Sequence, residues 1–296
     1  MENTQKLKDI VKDRYAKIAT QEKFVNASSC CGATTPSNKV YNIMMDSYEN
    51  LEGYNEDADL GLGCGLPTAF AQIKEGDTVI DLGSGAGNDC FVARHETGPT
   101  GKVIGVDFTE AMIKKARENA EKSGYNNVEF RQGDIDDMPV SDNLADVVVS
   151  NCVLNLVPDK PKVISEIMRV LKPGGHFSVS DIVLVGELPQ ELRQDAEMYA
   201  GCVAGAIQKE DYLGIIKETG FEEVAVQKTK PIMIPDDILL KYLDEKGIEE
   251  LRNGDLGIYS ITVFGRKPMD HKSEEKPKAF AEAVQVEASS CGPGCC

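Results

Sequence analysis

The spacing of hydrophobic positions changes along the chain and divides it into unlike parts. Between residues 4 and 19, Leu7, Val11, Tyr15 and Ile18 recur every three or four positions, which predicts one amphipathic helix. The SSCCGATTPS segment after it has the composition of a loop. Residues 40–67 show weak periodicity, many acidic positions and a glycine cluster around Cys64, and are read as an N-terminal lobe.

From Thr78 the pattern alternates between short β-branched runs and amphipathic segments: TVIDLG, NDCFVARHE, KVIGVD, TEAMIKKARENAEKSG, NVEFRQ, ADVVVSN. That order predicts a doubly wound, mostly parallel sheet of α/β class. A further helix starts at Asp159, a capping residue with a proline in the first turn. It carries Val163, Ile164, Ile167, Met168 and Leu171 on one face and stops at Pro173. LKPGG then reads as a turn and HFSVSDIVLV as the next strand. Helical stretches LPQELRQDAEMYA and KEDYLGIIKETG follow, with strands EVAVQK and YSITVFGR to complete the sheet. From Pro268 the segment is charged, rich in Ala and Glu, and ends in CGPGCC, the composition of a disordered tail.

Composition narrows the function. With 296 residues, 41% of them hydrophobic, the chain can bury a full core. Its net charge of −17 repels phosphate backbones and anionic bilayers, which excludes nucleic-acid and membrane partners in the absence of a basic patch. The N-terminus lacks the uninterrupted apolar core of a signal peptide, so the expectation is a soluble, cytoplasmic protein. The nine cysteines then read as a question of chemistry, because cytosolic thiols are kept reduced.

The sharpest motif is Asp81-Leu-Gly-Ser-Gly-Ala-Gly87, between the first strand and the first core helix. A dinucleotide fingerprint starting at Gly83 needs glycine at 88, where Asn stands, so the spacing through Gly83, Gly85 and Gly87 suits an amino-acid-bearing nucleoside rather than a pyrophosphate. Asp107 ends the second strand, where a carboxylate can accept both ribose hydroxyls, and Asp134 follows the third strand, where it can hold an adenine amino group.

Cys152 directly follows the fourth strand, at the carboxyl edge where open sheets bind ligands. Cys64 and Cys202 stand between glycines, in GLGCG and GCVAG. Cys90, inside the first core helix, reads as a small buried hydrophobe. If Cys64, Cys152 and Cys202 converge, zinc is a poor candidate, with three histidines in the chain and no C-x-x-C spacing. A three-thiolate pyramid suits a soft centre that keeps a lone pair, such as trivalent arsenic.

The glycine loop, Asp107, Asp134 and LKPGG together resemble class I S-adenosylmethionine methyltransferases over roughly residues 78–185. LGLGCGLP, DLGSGAGNDC, SNCVLNL, VSDIV and YAGCVAGA are in turn similar to the arsenite S-adenosylmethionine methyltransferase family, in order, over roughly residues 1–220. The resemblance implies a seven-stranded Rossmann-like sheet with S-adenosylmethionine as cofactor. It implies a cofactor site of Asp81, Gly83, Gly85, Gly87, Asp107, Phe108, Met112, Asp134, Ile135 and Asn151. It further implies that Cys64, Cys152 and Cys202 bind arsenite, and that an upstream cysteine, Cys30 or Cys31, can form a disulfide with Cys64. Methylation oxidises arsenic, so that pair is a candidate source of electrons, reset by thioredoxin or glutathione.

The resulting expectation is an enzyme, working as a monomer, that methylates arsenite or its thiol conjugates. Residues 1–70 would hold the arsenic-binding helix and loops, 71–220 the methyltransferase core, 221–268 a C-terminal lobe, and 269–296 the Cys-rich tail. Two rival readings keep part of this: a methyltransferase of a small organic acceptor such as a quinone or sterol precursor, and a non-catalytic thiol-rich metalloid buffer or sensor.

Overall fold

The computed structural model describes residues 2–20, 46–187, 205–233, 239–240, 242–253 and 256–269. The expected helix LPQELRQDAEMYA and the CGPGCC tail lie outside them, as do Cys30, Cys31 and Cys202. The chain starts with α1 (Glu2–Thr20) and reaches a short turn of helix, α2 (Pro67–Phe70), before the core. The core then runs β1 (Thr78–Leu82), α3 (Asn88–Thr97), β2 (Lys102–Asp107), α4 (Glu110–Lys122), β3 (Val128–Gln132) and β4 (Ala145–Asn151). After it come α5 (Lys160–Val170), β5 (Leu171–Val185), α6 (Lys209–Glu218), β6 (Glu222–Pro231), α7 (Glu245–Arg252) and β7 (Gly257–Arg266).

The seven strands form one sheet in the order β3-β2-β1-β4-β5-β7-β6, parallel except for β7, which runs antiparallel to both β5 and β6. Both faces of a parallel sheet are covered by crossover helices, which is why its strands are apolar on both sides. Val79, Val103, Val147 and Val149 face α3 and α4, where Phe91, Met112, Ile113 and Ala116 pack with Ile18 of α1. Ile80, Leu82, Ile104, Val106 and Val148 face the other way, onto Val163, Ile164 and Ile167 of α5 and Ile216 of α6. The expected cap of α5 forms: the Asp159 carboxylate accepts from the Lys162 amide at 3.0 Å.

LKPGG is not a free turn before β5 but part of that strand. Leu171 pairs with Ala145, the register slips before Val147 meets His176, and the glycines fill the bulge, with Gly174 at φ +78°. The excursion is satisfied from the far side: the Gly174 amide donates to Lys267 O at 3.0 Å and the Lys267 amide to Gly175 O at 2.8 Å. Among the described residues no helix is long and apolar enough to cross a membrane.

Candidate active site

Strand order reverses between β1 and β4, and a crevice opens at their carboxyl ends, as at other switch points of open sheets. The loops leaving these two strands touch. A Cβ on Gly83 would meet the Val153 side chain at 2.5 Å, and Gly83 adopts φ +68°, so a larger residue is excluded there twice over. The Gly83 and Ser84 amides both donate to Val106 O, at 2.7 and 3.1 Å, which pins the turn to β2. Gly85, at φ +51°, has open space where a side chain would begin.

Asp107 sits at the end of β2, 6% exposed, and its two oxygens accept from the Thr109 and Gly85 amides at 2.7 and 3.1 Å. Burial raises its carboxyl above the usual carboxylate range, and those amides offset only part of that rise. Each carboxylate oxygen keeps a second lone pair for a ligand diol. The loop, Asp107 and Phe108 border a cavity of about 100 Å³, lined on other sides by Tyr15, Tyr48, Leu60, Asp89 and Cys152. In its wall, Ser84 Oγ and Asn88 Oδ1 are buried with no hydrogen-bond partner among the described residues. Buried polar atoms are rarely left without a partner.

A second, smaller cavity of about 30 Å³ shares Gly83, Asp107, Phe108, Val153 and Leu156 with the first and adds Ile135, Asp134, Val11 and Val157. Its walls are mainly apolar, with Asp134 and Asp136 at the edge. Lys8 of α1 lies here, 3.4 Å from Asp134 and 3.0 Å from Asp136. Asp81, Gly83, Gly85, Asp107, Phe108, Asp134, Ile135 and Asn151 line these two adjoining cavities. Two of the predicted cofactor residues do not: a Cβ at Gly87 would face the Phe91 and Phe130 rings, and Met112 is fully buried in the core beneath α4.

An acidic network forms part of the cavity wall. Asp81 and Asp89 are both buried, and burial, reinforced by their mutual repulsion at Asp81, pushes the carboxyls up, Asp89 to about 6. Cys90 is buried as expected, but it is more than a small hydrophobe, since its thiol donates to Asp81 at 3.2 Å. The Tyr48 hydroxyl reaches both Asp89 oxygens, at 2.9 and 2.8 Å, and Asn151 Nδ2 lies 3.3 Å from the same carboxylate. Tyr48, Asp89, Tyr15 and Lys8 had no sequence signal, because their partners are distant in the chain.

Cys64 and Cys152 are both buried in one apolar cluster with Ile182, Leu184, Ala206, Ile232, Leu239 and Ile258, at the carboxyl edge of the sheet. Cys152 adopts φ +62°, an uncommon conformation for a side-chain-bearing residue, and lines the larger cavity. The Cys64 backbone is gripped at both polar atoms: its amide donates to Asn151 Oδ1 at 3.0 Å and its carbonyl accepts from Ser260 Oγ at 2.6 Å. The Tyr212 hydroxyl donates to Asp181 Oδ2 at 3.4 Å. Burial pushes its phenol well up, and the neighbouring Asp181, Cys64 and Cys152 add to the shift. Asp181 is itself buried and raised to about 7, accepting from the Ile182 amide and Asn155 Nδ2 at 2.9 and 2.8 Å.

Residues 73–220 match the family described as a methyltransferase domain. With the strand order, this places the chain in the class I S-adenosylmethionine-dependent methyltransferases. The chain is 40% identical over 272 residues to an arsenite methyltransferase of Halobacterium salinarum, covering 88% of this chain and 66% of that one. It is 34% identical over 259 residues to an arsenite methyltransferase of Aquipseudomonas alcaligenes, covering 85% of this chain and 70% of the other. The crystal structure of an arsenic(III) S-adenosylmethionine methyltransferase from Chlamydomonas reinhardtii superposes with a TM-score of 0.58 at 36% identity, over 70% of this chain and 67% of that one. The chain belongs to the arsenite methyltransferase family, and it spans about two thirds of the length of these relatives.

Proposed function

We propose that this protein transfers methyl groups from S-adenosylmethionine to trivalent arsenic held by the thiolates of Cys64, Cys152 and Cys202. The observation that carries the reading is the burial of Cys64 and Cys152 in one cluster beside the cofactor cavity, in a chain of this family. Connectivity supports the third ligand. The Gly205 backbone packs against Asn155, so close that a Cβ there would overlap the Asn155 carbonyl, and Lys160 Nζ donates to Gly205 O at 2.7 Å. Cys202 precedes Gly205 by three positions, a stretch of chain that spans at most roughly 11 Å.

When bound, the cofactor supplies an electrophilic sulfonium methyl. The chain's own residues would bind and orient it: Asp107 would accept from the ribose hydroxyls, and Phe108, Ile135 and Asp134 would hold the base. The thiolates leave arsenic with a lone pair in an apolar, water-poor site, so the acceptor needs no general base, and alignment does most of the work. Methylation takes arsenic from the trivalent to the pentavalent state. Two electrons then return it, supplied as Cys64 and Cys30 or Cys31 close a disulfide that thioredoxin or glutathione reopens.

The test is incubation with arsenite, S-adenosylmethionine and a thiol reductant, with products separated by mass spectrometry. Wild type yields methylated arsenicals, and Cys152→Ser loses at least about 100-fold in rate, as expected when a group acting as part of a unit is removed. A Cys152→Ser variant with the wild-type rate overturns the thiolate site. Cofactor turnover that ignores arsenite but follows an added quinone favours the organic-acceptor reading instead.

A further inference from the structure

The hydrogen bonds around Asn151 join two places that the proposed reaction treats as separate substrates' sites. Asp89 borders the cofactor cavity. Its carboxylate holds the Tyr48 hydroxyl at 2.8 and 2.9 Å, and Thr68 Oγ1 at 3.4 Å. The Tyr48 oxygen in turn accepts from Asn151 Nδ2. Asn151 Nδ2 also donates to Gly65 O at 2.9 Å, while its Oδ1 accepts from the Cys64 amide at 3.0 Å. One side chain thus grips the backbone on both sides of the Cys64 α-carbon and passes the constraint to a tyrosine and a carboxylate at the cavity wall.

The glycines of this loop make the grip possible. A Cβ at Gly63 would lie 2.7 Å from Asn151 Nδ2, and one at Gly65 would lie 2.6 Å from Ser180, so the backbone reaches Asn151 only because both positions are bare. Tyr48 is 4% exposed and sits outside the motif-bearing segments, and neither the glycine loop nor the thiols account for its presence. A buried hydroxyl on a buried carboxylate costs desolvation unless the partners stay fixed, which favours a rigid network over a loose one.

We propose that Tyr48, Asp89 and Asn151 are positioning residues that couple cofactor occupancy to the seating of Cys64. A ligand that fills the cavity against Asp89 fixes Tyr48, hence Asn151, hence the loop that carries the thiol. Coupling of this kind is reciprocal: the cofactor strengthens arsenic binding by the same factor as arsenic strengthens cofactor binding, typically about 5- to 150-fold. The inference rests on the reading of Cys64 as an arsenic ligand, but the link from cavity to loop can be read without arsenic.

The experiment uses the full chain and S-adenosylhomocysteine at saturation for each variant. Alkylation of Cys64 by iodoacetamide is followed by peptide mass mapping, and arsenite binding by calorimetry, each with and without the nucleoside. In wild type the nucleoside slows Cys64 alkylation and tightens arsenite, each by about tenfold or more, whereas in Tyr48→Phe both factors fall below about threefold. Asn151→Ser cuts the same link from the other end and replaces Tyr48→Phe if circular dichroism shows that variant unfolded. Equal protection in wild type and variant overturns the relay, and so does absence of protection in wild type. Failure of wild type to bind arsenite at all sinks the arsenic reading instead, and the alkylation arm then decides the relay by itself.

Discussion

Lys8 of α1 places its ammonium 3.0 Å from Asp136 and 3.4 Å from Asp134, and so fastens the first helix across the smaller of the two cavities. The pair is 128 positions apart in sequence. Val11 and Tyr15, one and two turns further along α1, line the two cavities, and Lys115 of α4 anchors the helix end at Ala19 O.

Removing that fastening is expected to weaken the cofactor without touching the chemistry. The Lys8 side chain is 21% exposed, so the ion pair stabilises the closed arrangement by about 1 kcal/mol or less. Lys8→Ala should raise KM for S-adenosylmethionine by about two- to fivefold at low ionic strength, with kcat unchanged, and the difference should shrink in about 0.5 M salt. Steady-state kinetics at two salt concentrations measures it. An unchanged KM at low salt shows that α1 does not cover the bound nucleoside.

Asp107 gives a sharper expectation. Its carboxylate is already held by two backbone amides and keeps lone pairs for the ribose, so Asp107→Asn loses a charge-assisted interaction of about 1.5–3 kcal/mol. Calorimetry with S-adenosylhomocysteine should therefore show affinity lowered by about 10- to 100-fold, with kcat at saturating cofactor within about threefold of wild type. Wild-type affinity in that variant would place the ribose elsewhere.

Asp181 governs a pH dependence. Its carboxyl is raised by burial to about 7 in the folded chain, against an ordinary value of 3.8. Between these values the native state holds a proton that the unfolded chain releases. The stabilisation is complete below pH 3.8, declines as pH rises through 7, and is gone above it. Asp89, raised to about 6, acts in the same direction. The melting temperature of wild type should fall between pH 5 and pH 8, and Asp181→Asn should reduce that fall by on the order of 3–6 °C. Parallel melting profiles for the two proteins would remove Asp181 as the cause.

Much of the core was legible because parallel strands and their crossover helices have distinct periods and lengths. β1 through β4, α3, α4 and the Asp159 cap fall where the pattern puts them. The glycine loop was readable for a related reason: Gly83 and Gly85 occupy positive-φ backbone that disfavours other residues. Other features left no such mark. Met112 sits in a helix that flanks the cofactor loop, yet the rotation of α4 turns it into the core. LKPGG has turn composition, but pairing with the chain after β7 draws it into β5 as a bulge.

The sequence by itself determined the order of the core strands and helices, the glycine turn after β1 and the placing of Asp107 and Cys152 at strand ends, because each depends on local spacing or on a residue type that tolerates one backbone geometry. Tertiary structure alone decided that Tyr48, Asp89 and Asn151 meet, that Asn151 grips the Cys64 loop, and that Lys8 reaches Asp134 and Asp136. Those contacts join segments far apart in the chain, and hydrogen bonds at such separation leave no periodicity in the sequence from which they could be read.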